Sequence, residues 1–260
     1  MCIFKWQRKF FHKLSLPAIM PRLLTFNILF FIFTLSSCRQ EKESKTTYFS
    51  LAEALNEREP ETVKSITLIQ QNLTAIPEEL KQFKNLTDLN LSYNKIKNIP
   101  SWFRQLEKLQ RLNLSNNLID SLDQSLFDLR NVENLDLKYN KLKNLPLGFS
   151  KLLRLKSLDL GSNYLFDLPS DFADLDSLIF LTIEKNEYDR IPDVVFHLNN
   201  IERLHLYSNS ISEISDSITK LTRLSELSAD KNYLSNKQIL HLKKILPNCA
   251  VYVKDQIQKE

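Results

Sequence analysis

The sequence predicts an α/β solenoid in which a parallel β-sheet forms the concave face and short 3₁₀ or α segments form the convex face. Three observations lead to this prediction. The chain repeats every 23 residues through eight units without an insertion, as the spacing from Asn94 to Asn117 and Asn140 illustrates. Apolar and polar residues alternate within each unit, and an asparagine recurs at one position. Repeats of this length are typical of solenoids, whose units bury their apolar sides against one another.

The first element of each unit is a short β-strand. In LTDLNLSYNKIKNIP, residues 86–100, Leu89 and Leu91 alternate with Asp88, Asn90 and Ser92. Because successive side chains of a strand point to opposite sides, we expect the leucines to face the interior and the polar residues to face solvent. Stacked units then build a parallel sheet whose inner face is covered by the rest of each turn. The eight units begin at Val63, Leu86, Leu109, Val132, Leu155, Leu178, Ile201 and Leu224.

An asparagine follows each strand from the second unit onward, where the backbone bends away from the sheet. The bend leaves amides and carbonyls that cannot pair within the sheet, and a buried asparagine side chain donates and accepts at the same time. We therefore predict a structural asparagine ladder between successive turns. Gln71 replaces the asparagine in the first unit. The ladder comprises Asn94, Asn117, Asn140, Asn163, Asn186, Asn209 and Asn232.

The convex segments are predicted from proline and from apolar residues at every third position. Proline suits the first residue of a helical turn, where its missing N–H costs nothing. A spacing of three, as in Phe103, Leu106 and Leu109, suits a 3₁₀ or short α segment. We expect the phenylalanines to fill the gap between strand and convex segment. Five of the nine prolines occupy the same position in their units, namely Pro77, Pro100, Pro146, Pro169 and Pro192.

Both ends of the repeats, residues 63–246, need caps because a solenoid end exposes apolar side chains. Over residues 48–62, the stretch Ser50-Leu51-Ala52-Glu53 is a capping box that predicts a helix through Arg58. Over residues 235–253, where the last repeat merges into the cap, an amphipathic helix is predicted to begin after Ser235. Residues 249–253 are expected to form a closing edge strand, with Cys249 as a small buried hydrophobe. Residues 254–260 remain as a tail. The inward residues of the second helix are Ile239, Leu242, Ile245 and Leu246.

The repeat pattern, LxxLxLxxNxLxxLP, resembles that of the leucine-rich repeat family over residues 63–246. The resemblance implies a right-handed horseshoe with the sheet on its concave face. It also implies a binding protein that recognises a partner with this face rather than an enzyme.

The stretch LLTFNILFFIFTLSSC, residues 23–38, predicts a segment that directs export. As a helix, residues 23–35 would reach only about 20 Å, against a hydrocarbon core of roughly 30 Å. The stretch lacks the polar face of a core helix and follows Arg22, as the hydrophobic part of a signal peptide does. Leu35-Ser36-Ser37-Cys38 resembles a bacterial lipobox. The resemblance implies that residues 1–37 are removed and that Cys38 receives fatty acyl chains. The alternative is an ordinary signal peptide with an incidental cysteine.

Two further expectations concern the flanks of this segment. The leader before the apolar run is long and basic, whereas a start at Met20 would give the usual proportion of a signal peptide, so we expect Met20 to be the true start. Residues 38–47 are too polar to fold and are predicted to form a tether. The lipid at Cys38 would hold the chain at a membrane.

Charge and residue types exclude several classes of function. The whole chain has 35 Lys and Arg against 31 Asp and Glu. Residues 1–37 hold five of the basic residues and no acidic ones, which leaves 30 against 31 for the rest of the chain. The net basic charge therefore belongs to the leader, and we predict no binding of nucleic acid. Two glycines argue against phosphate-binding loops. The three histidines after residue 37 lack metal-ligand spacing, and no catalytic motif is present. We therefore predict no metal, no cofactor and no enzymatic activity.

The partner-binding site is predicted on the solvent side of the sheet, in the sixth and seventh repeats. There the outward positions bring together aromatic residues and arginine, the types that dominate interface hot spots. The alternative is that these aromatic residues only stabilise neighbouring strands. The candidates are Phe180, Arg203, His205 and Tyr207, with Tyr93 and Tyr139 at one rim.

Together these features predict a lipid-anchored recognition protein of a bacterial envelope, at the outer membrane, that binds a protein or glycan on its concave face. The alternative is an anchored scaffold that organises other proteins of the envelope.

Overall fold

The computed structural model describes residues 47–257. These residues form one parallel sheet of ten strands, in which each strand pairs only with its neighbours in sequence. The sheet runs from β1 to β10, and this arrangement confirms the predicted α/β solenoid. The strands are Thr47–Tyr48, Ser65–Thr67, Asp88–Asn90, Arg111–Asn113, Asn134–Asp136, Ser157–Asp159, Phe180–Thr182, Arg203–His205, Glu226–Ser228 and Ala250–Tyr252.

The register of the sheet follows the sequence repeat. From β2 to β9, each strand residue pairs with the residue 23 positions later, for example Leu89 with Leu112. The central residue of each of these strands is apolar and at most 2% exposed, from Ile66 to Leu227. The interior of the solenoid is therefore one continuous row of aliphatic side chains, as the alternation within each unit predicts.

The convex segments are all 3₁₀ turns. The prolines that recur in the repeat were predicted at the first residue of each turn. Four of them lie instead directly before that residue, namely Pro77, Pro100, Pro169 and Pro192. Each proline is the extended residue before the turn and accepts from the third residue after it, as the Phe103 amide bonds to the Pro100 carbonyl at 2.9 Å. The missing N–H is harmless at this position as well. The turns are Pro60–Thr62, Glu78–Gln82, Ser101–Gln105, Gln124–Asp128, Phe149–Lys151, Ser170–Asp174, Asp193–His197 and Asp216–Lys220.

Phenylalanines fill the space between the sheet and these turns. Phe127, Phe149 and Phe172 are fully buried and stack in sequence, with ring centroids 4.8 and 4.5 Å apart. Gly148 lies beside this stack with a φ of +138°, and a Cβ at this position would lie 2.4 Å from the Phe127 ring. One of the two glycines of the chain is thus required by close packing and by its backbone conformation.

The asparagine ladder joins consecutive turns by hydrogen bonds. The Asn117 side chain donates to the Leu91 carbonyl of the preceding repeat and to the Leu114 carbonyl of its own, both at 3.0 Å. Its oxygen accepts from the Ile96 amide of the preceding repeat at 3.0 Å. The other asparagines repeat this pattern down to Asn232. Gln71 bonds only to the Ile69 carbonyl through its side chain and stays exposed.

The first cap differs from its prediction in two respects. Helix α1, Leu51–Leu55, begins at Ser50, whose hydroxyl accepts from the Glu53 amide at 3.1 Å. The helix ends at Leu55 rather than Arg58: Asn56 caps it, and the Glu57 amide bonds to the Ala54 carbonyl three residues earlier instead of continuing the α-helical pattern. Strand β1 was not predicted, and Thr47 belongs to it rather than to the tether. A strand of two residues beside a polar stretch gives no periodicity to detect.

The second cap closes the other end of the sheet. Helix α2, Asn236–Ile245, begins after Ser235, whose hydroxyl accepts from the Gln238 amide at 3.2 Å. Leu242 is fully buried and Ile239 and Ile245 pack partly buried against the core. Strand β10 covers residues 250–252 and pairs with β9. Cys249 is half-buried, and burial raises the pKa of its thiol.

Several predictions fall on residues outside the described range. They are the signal peptide over residues 1–37, the start at Met20, lipidation of Cys38, the tether up to residue 46 and the last three residues of the tail. Within residues 47–257, no helix combines the length and apolar character needed to cross a membrane.

Replacing a ladder asparagine should destabilise the fold strongly. Asn140→Ala removes the side chain that bonds to the Ile119 amide and to the Leu114 and Leu137 carbonyls. The Leu114 and Leu137 carbonyls each keep a bond from a neighbouring ladder asparagine, whereas the buried Ile119 amide is left without a partner. We therefore expect the free energy of unfolding to fall by about 1 to 3 kcal/mol. Urea unfolding followed by circular dichroism measures the loss. Asn144→Ala, at an exposed asparagine of the same repeat, is the control. Equal effects of the two variants would contradict the assigned role of the ladder.

Candidate functional site

The solvent face of the sheet is built from the first and third residue of each strand. These side chains line an open cavity of about 530 Å³ that extends from β2 to β7. Because the strands are held in register, the face is a set of straight columns. The first column is Ser65, Asp88, Arg111, Asn134, Ser157, Phe180, Arg203 and Glu226. The second column is Thr67, Asn90, Asn113, Asp136, Asp159, Thr182, His205 and Ser228.

The next column along the chain is only partly exposed, which corrects the expectation that polar residues such as Ser92 face solvent. Ser92, Ser115 and Gly161 are buried. The amide of each bonds to the side-chain oxygen two residues earlier, as that of Ser92 does to Asn90 at 3.0 Å, and this bond folds the end of the strand inward. Long side chains of the same column, such as Tyr207, still reach the surface.

An ion pair runs along this column and passes over Gly161. The Lys138 ammonium lies 2.7 Å from the Glu184 carboxylate, although their repeats are separated by the repeat of Gly161. A Cβ at position 161 would lie 2.9 Å from Glu184 Cγ. The second glycine of the chain therefore leaves room for a bridge between the fourth and sixth repeats. Apart from the glycine itself, no residue pattern predicts this contact.

Two aspartates lie beside this ion pair. Asp136 and Asp159 are partners on neighbouring strands β5 and β6. Burial raises the pKa of Asp159 to about 6; the Gly161 N–H that bonds to it opposes the rise, and the nearby Asp136 carboxylate adds to it. Burial also raises the pKa of Asp136. Sequence reasoning did not single out this pair, although two aspartates at one column position of consecutive repeats are the signal that could have found it.

Three of the predicted binding residues form one cluster, which we call the aromatic cluster. The Arg203 guanidinium lies 4.8 Å from the centre of the Phe180 ring. The Phe180 and His205 rings meet edge to face, with centroids 4.8 Å apart. His205 Nε2 lies 2.9 Å from the Glu226 carboxylate. The cluster lies on β7 and β8, and its contact with Glu226 reaches β9. Because contacts between strands hold it in place, its geometry agrees both with a binding site and with mutual stabilisation.

The rim of the face carries tyrosines and lysines. Lys185 lies 5.8 Å from the ring centres of both Tyr139 and Tyr207, and Lys231 lies 5.5 Å from that of Tyr207. The structure thus joins two of the predicted residues through one lysine. Tyr93 lies on the same rim, two repeats before Tyr139, and is exposed.

The backbone of the rim is left-handed throughout. Eight equivalent residues have φ between 49° and 58°, and only one of them, Asn116, is of a type that favours this conformation. This backbone conformation costs a residue other than glycine about 1 to 2 kcal/mol. Hydrogen bonds to the next repeat compensate, as the Tyr139 amide bonds to the Gly161 carbonyl at 2.9 Å. The eight residues are Gln70, Tyr93, Asn116, Tyr139, Ser162, Lys185, Ser208 and Lys231.

Among the described residues, no group of three or more His, Cys, Asp or Glu side chains could hold a metal ion. What the face offers is a mixed surface of rings, ammonium groups and carboxylates on rigid strands. Such a surface can contact a partner through stacking, charge-assisted hydrogen bonds and apolar burial.

The family model described as leucine rich repeat matches the chain over residues 61–119 and 107–165. No curated protein gives a significant sequence match. Among solved structures, a leucine-rich-repeat protein of Leptospira interrogans is similar, with 24% identity over 74% of this chain and 60% of that protein and a TM-score of 0.54. The chain therefore spans less than two thirds of that protein.

Two further solved structures share the fold. Internalin C2 of Listeria monocytogenes has 22% identity over 77% of this chain and 82% of its own, with a TM-score of 0.63. The ectodomain of the Arabidopsis thaliana receptor kinase GASSHO1/SCHENGEN3, solved in complex with CASPARIAN STRIP INTEGRITY FACTOR 2, has 28% identity. That match covers 66% of this chain and 22% of the receptor, with a TM-score of 0.58.

The raised pKa of Asp159 predicts a specific dependence of stability on pH. An unfolded chain releases this proton near about pH 4, whereas the folded protein holds it up to about pH 6. Stability is therefore lost as the pH rises through this window. Asp159→Asn should stabilise the protein near pH 7 and have less effect near pH 4, as measured by urea unfolding. Asp120→Asn, at an exposed aspartate, is the control. An equal change at both pH values would contradict the assignment.

Proposed function

We propose that this leucine-rich-repeat protein is a non-enzymatic binding protein that holds a protein partner on the solvent face of its sheet. The observation that carries the proposal is the aromatic cluster of Phe180, Arg203 and His205, which lies at one end of the open cavity. Phe180 belongs to both, since it lines the cavity and contacts the other two residues.

The rigidity of the face supports this proposal. Every strand from β2 to β9 is paired on both sides, so the columns need no rearrangement before contact. A surface that is already ordered loses little conformational entropy on binding, and more of the contact energy then appears as affinity. The aromatic cluster can supply apolar burial, while Lys138, Glu184 and the two aspartates beside them can fix the orientation of a polar segment.

Similar solved structures also support a protein partner. The Arabidopsis receptor ectodomain was solved with a bound factor, and the plant peptide hormone receptor RGFR1 was solved with RGF2. These ligands belong to those receptors. They support the use of stacked repeats of this kind for recognising peptides and proteins, and a glycan is the other occupant that the proposal must be tested against.

The proposal includes a place in the cell. Residues 1–37 would direct export, and acylation of Cys38 would anchor the protein in the envelope of a bacterium, at the outer membrane. One acyl chain gives marginal attachment, whereas two or more make it stable. The support for this setting comes from the sequence, in which the apolar run after Arg22 ends in Leu35-Ser36-Ser37-Cys38.

Substitutions in the face should remove the partner without unfolding the protein. Phe180→Ala and Tyr207→Ala are each expected to lower the recovery of a cross-linked protein from envelope extracts at least about tenfold, since each removes an aromatic contact of the hot-spot type. Quantitative mass spectrometry of the captured material measures the loss. Leu153→Ala, at an exposed leucine outside the columns of the sheet face, is the matched control. A lowered melting temperature with unchanged recovery would instead assign these rings to stabilising the sheet.

The anchor is tested by Cys38→Ala in the full-length chain. Without a thiol to acylate, we expect the protein to move from the membrane pellet to the soluble fraction, with unchanged circular dichroism. Ser37→Ala, which keeps the cysteine, should remain in the pellet. Retention of Cys38→Ala in the pellet would contradict lipid anchoring.

A further inference from the structure

A second ordered surface lies on the flank of the solenoid, just after the asparagine ladder. In each repeat the residue that follows the asparagine donates its amide to a carbonyl of the preceding repeat. Lys141, Tyr164 and Glu187 do so to the residues at 119, 142 and 165, each at 2.8 Å. These three residues therefore stack in register, one repeat apart. The residues two positions later, Lys143, Phe166 and Asp189, form the neighbouring column.

The centre of this flank is apolar. Tyr164 is 48% exposed and Phe166 is 57% exposed. The equivalent positions of the seventh repeat are Ser210 and Ser212, which are also exposed. In the fourth, sixth and seventh repeats both of these positions are polar, so two adjacent exposed aromatic side chains in the fifth repeat form a patch whose exposure needs a reason.

Side chains of opposite charge lie on the two sides of this patch, each pair one repeat away from it. Lys141 and Lys143 lie one repeat before it, and Glu187 and Asp189 lie one repeat after it. All four are exposed, and within residues 47–257 neither lysine takes part in an ion pair. Asp189 faces Arg190 at 3.8 Å, an exposed pair that contributes little. The charge pattern thus reverses sign across the aromatic patch.

We propose that this flank binds a second copy of the same chain. A two-fold axis that passes over Tyr164 and Phe166, perpendicular to the direction of the solenoid, turns the fourth repeat of one copy toward the sixth repeat of the other. The two lysines of each copy then face Glu187 and Asp189 of its partner, while the aromatic side chains meet at the axis. A surface whose charges change sign about its own centre is self-complementary, which is the requirement for an isologous dimer.

No other pair of facing repeats brings like charges together on these two columns. The third repeat, with Leu118 and Asp120, would face Ser210 and Ser212 of the seventh. The patch is small, and with four partly exposed rings at its centre the dimer belongs to the weak, concentration-dependent class. Its two sets of opposite charges should make it weaken as salt is raised.

Charge reversal tests the proposal in the full-length chain carrying Cys38→Ala, so that a shared membrane cannot join two copies. Two differently tagged copies are expressed together, and recovery of the second tag is measured after purification on the first. The first variant carries Lys141→Glu and Lys143→Glu, and the second carries Glu187→Lys and Asp189→Lys. Lys95→Glu with Lys97→Glu, at the same positions of the second repeat, is the matched control.

Wild type and control are expected to associate, whereas each variant with itself should lose at least about tenfold in recovery. The two variants expressed together should associate again, because every glutamate then faces a lysine. Melting temperatures within a few degrees of wild type verify that the exposed substitutions leave the fold intact. The proposal is overturned if wild type fails to associate at any soluble concentration, if the reversed variants still associate with themselves, or if their mixture does not recover.

Discussion

The fold depends on how the backbone is satisfied where each strand ends. At that bend, amides and carbonyls leave the sheet and enter the interior, where an unpaired group costs about 1 to 3 kcal/mol. One asparagine side chain per repeat bonds to both its own turn and the preceding one, for example Asn117 to Leu114 and to Leu91. The aliphatic rows supply most of the favourable burial. The carboxamide is what allows the chain to bend inside that apolar interior.

Much of the fold could be predicted because one physical pattern is repeated eight times. The strand centres, the inward leucines and the buried phenylalanines all follow from alternation and spacing. The errors occur where the pattern has no second copy. Strand β1 is too short to show periodicity. Helix α1 ends before Asn56, and the capping box at Ser50 predicts where the helix begins but not where it ends. The prolines lie directly before the 3₁₀ turns and not at their first residue, as was predicted. The sequence does not distinguish these two positions, because the missing N–H is harmless at both.

The residues of the candidate site could be predicted from the sequence, but not all of the contacts between them. Column positions gave Phe180, Arg203 and His205 as neighbours, and these three do meet. The bridge from Lys138 to Glu184 spans two repeats and depends on the absence of a side chain at Gly161, which no spacing rule describes. The left-handed rim was also missed, because tyrosine and lysine occupy positions that usually favour asparagine or glycine.

The regular register has a consequence for how such a chain can change its length. Each ladder asparagine bonds across distances of 21 and 26 positions along the chain, and these values are the same at every repeat. Duplication or deletion of one whole 23-residue unit by recombination would recreate every one of these bonds at the new junction. Insertion of one residue would misplace both the carboxamide and the leucines of its unit. The length of the sheet can thus change in steps of one repeat, whereas smaller steps break the buried hydrogen bonds of the unit in which they occur.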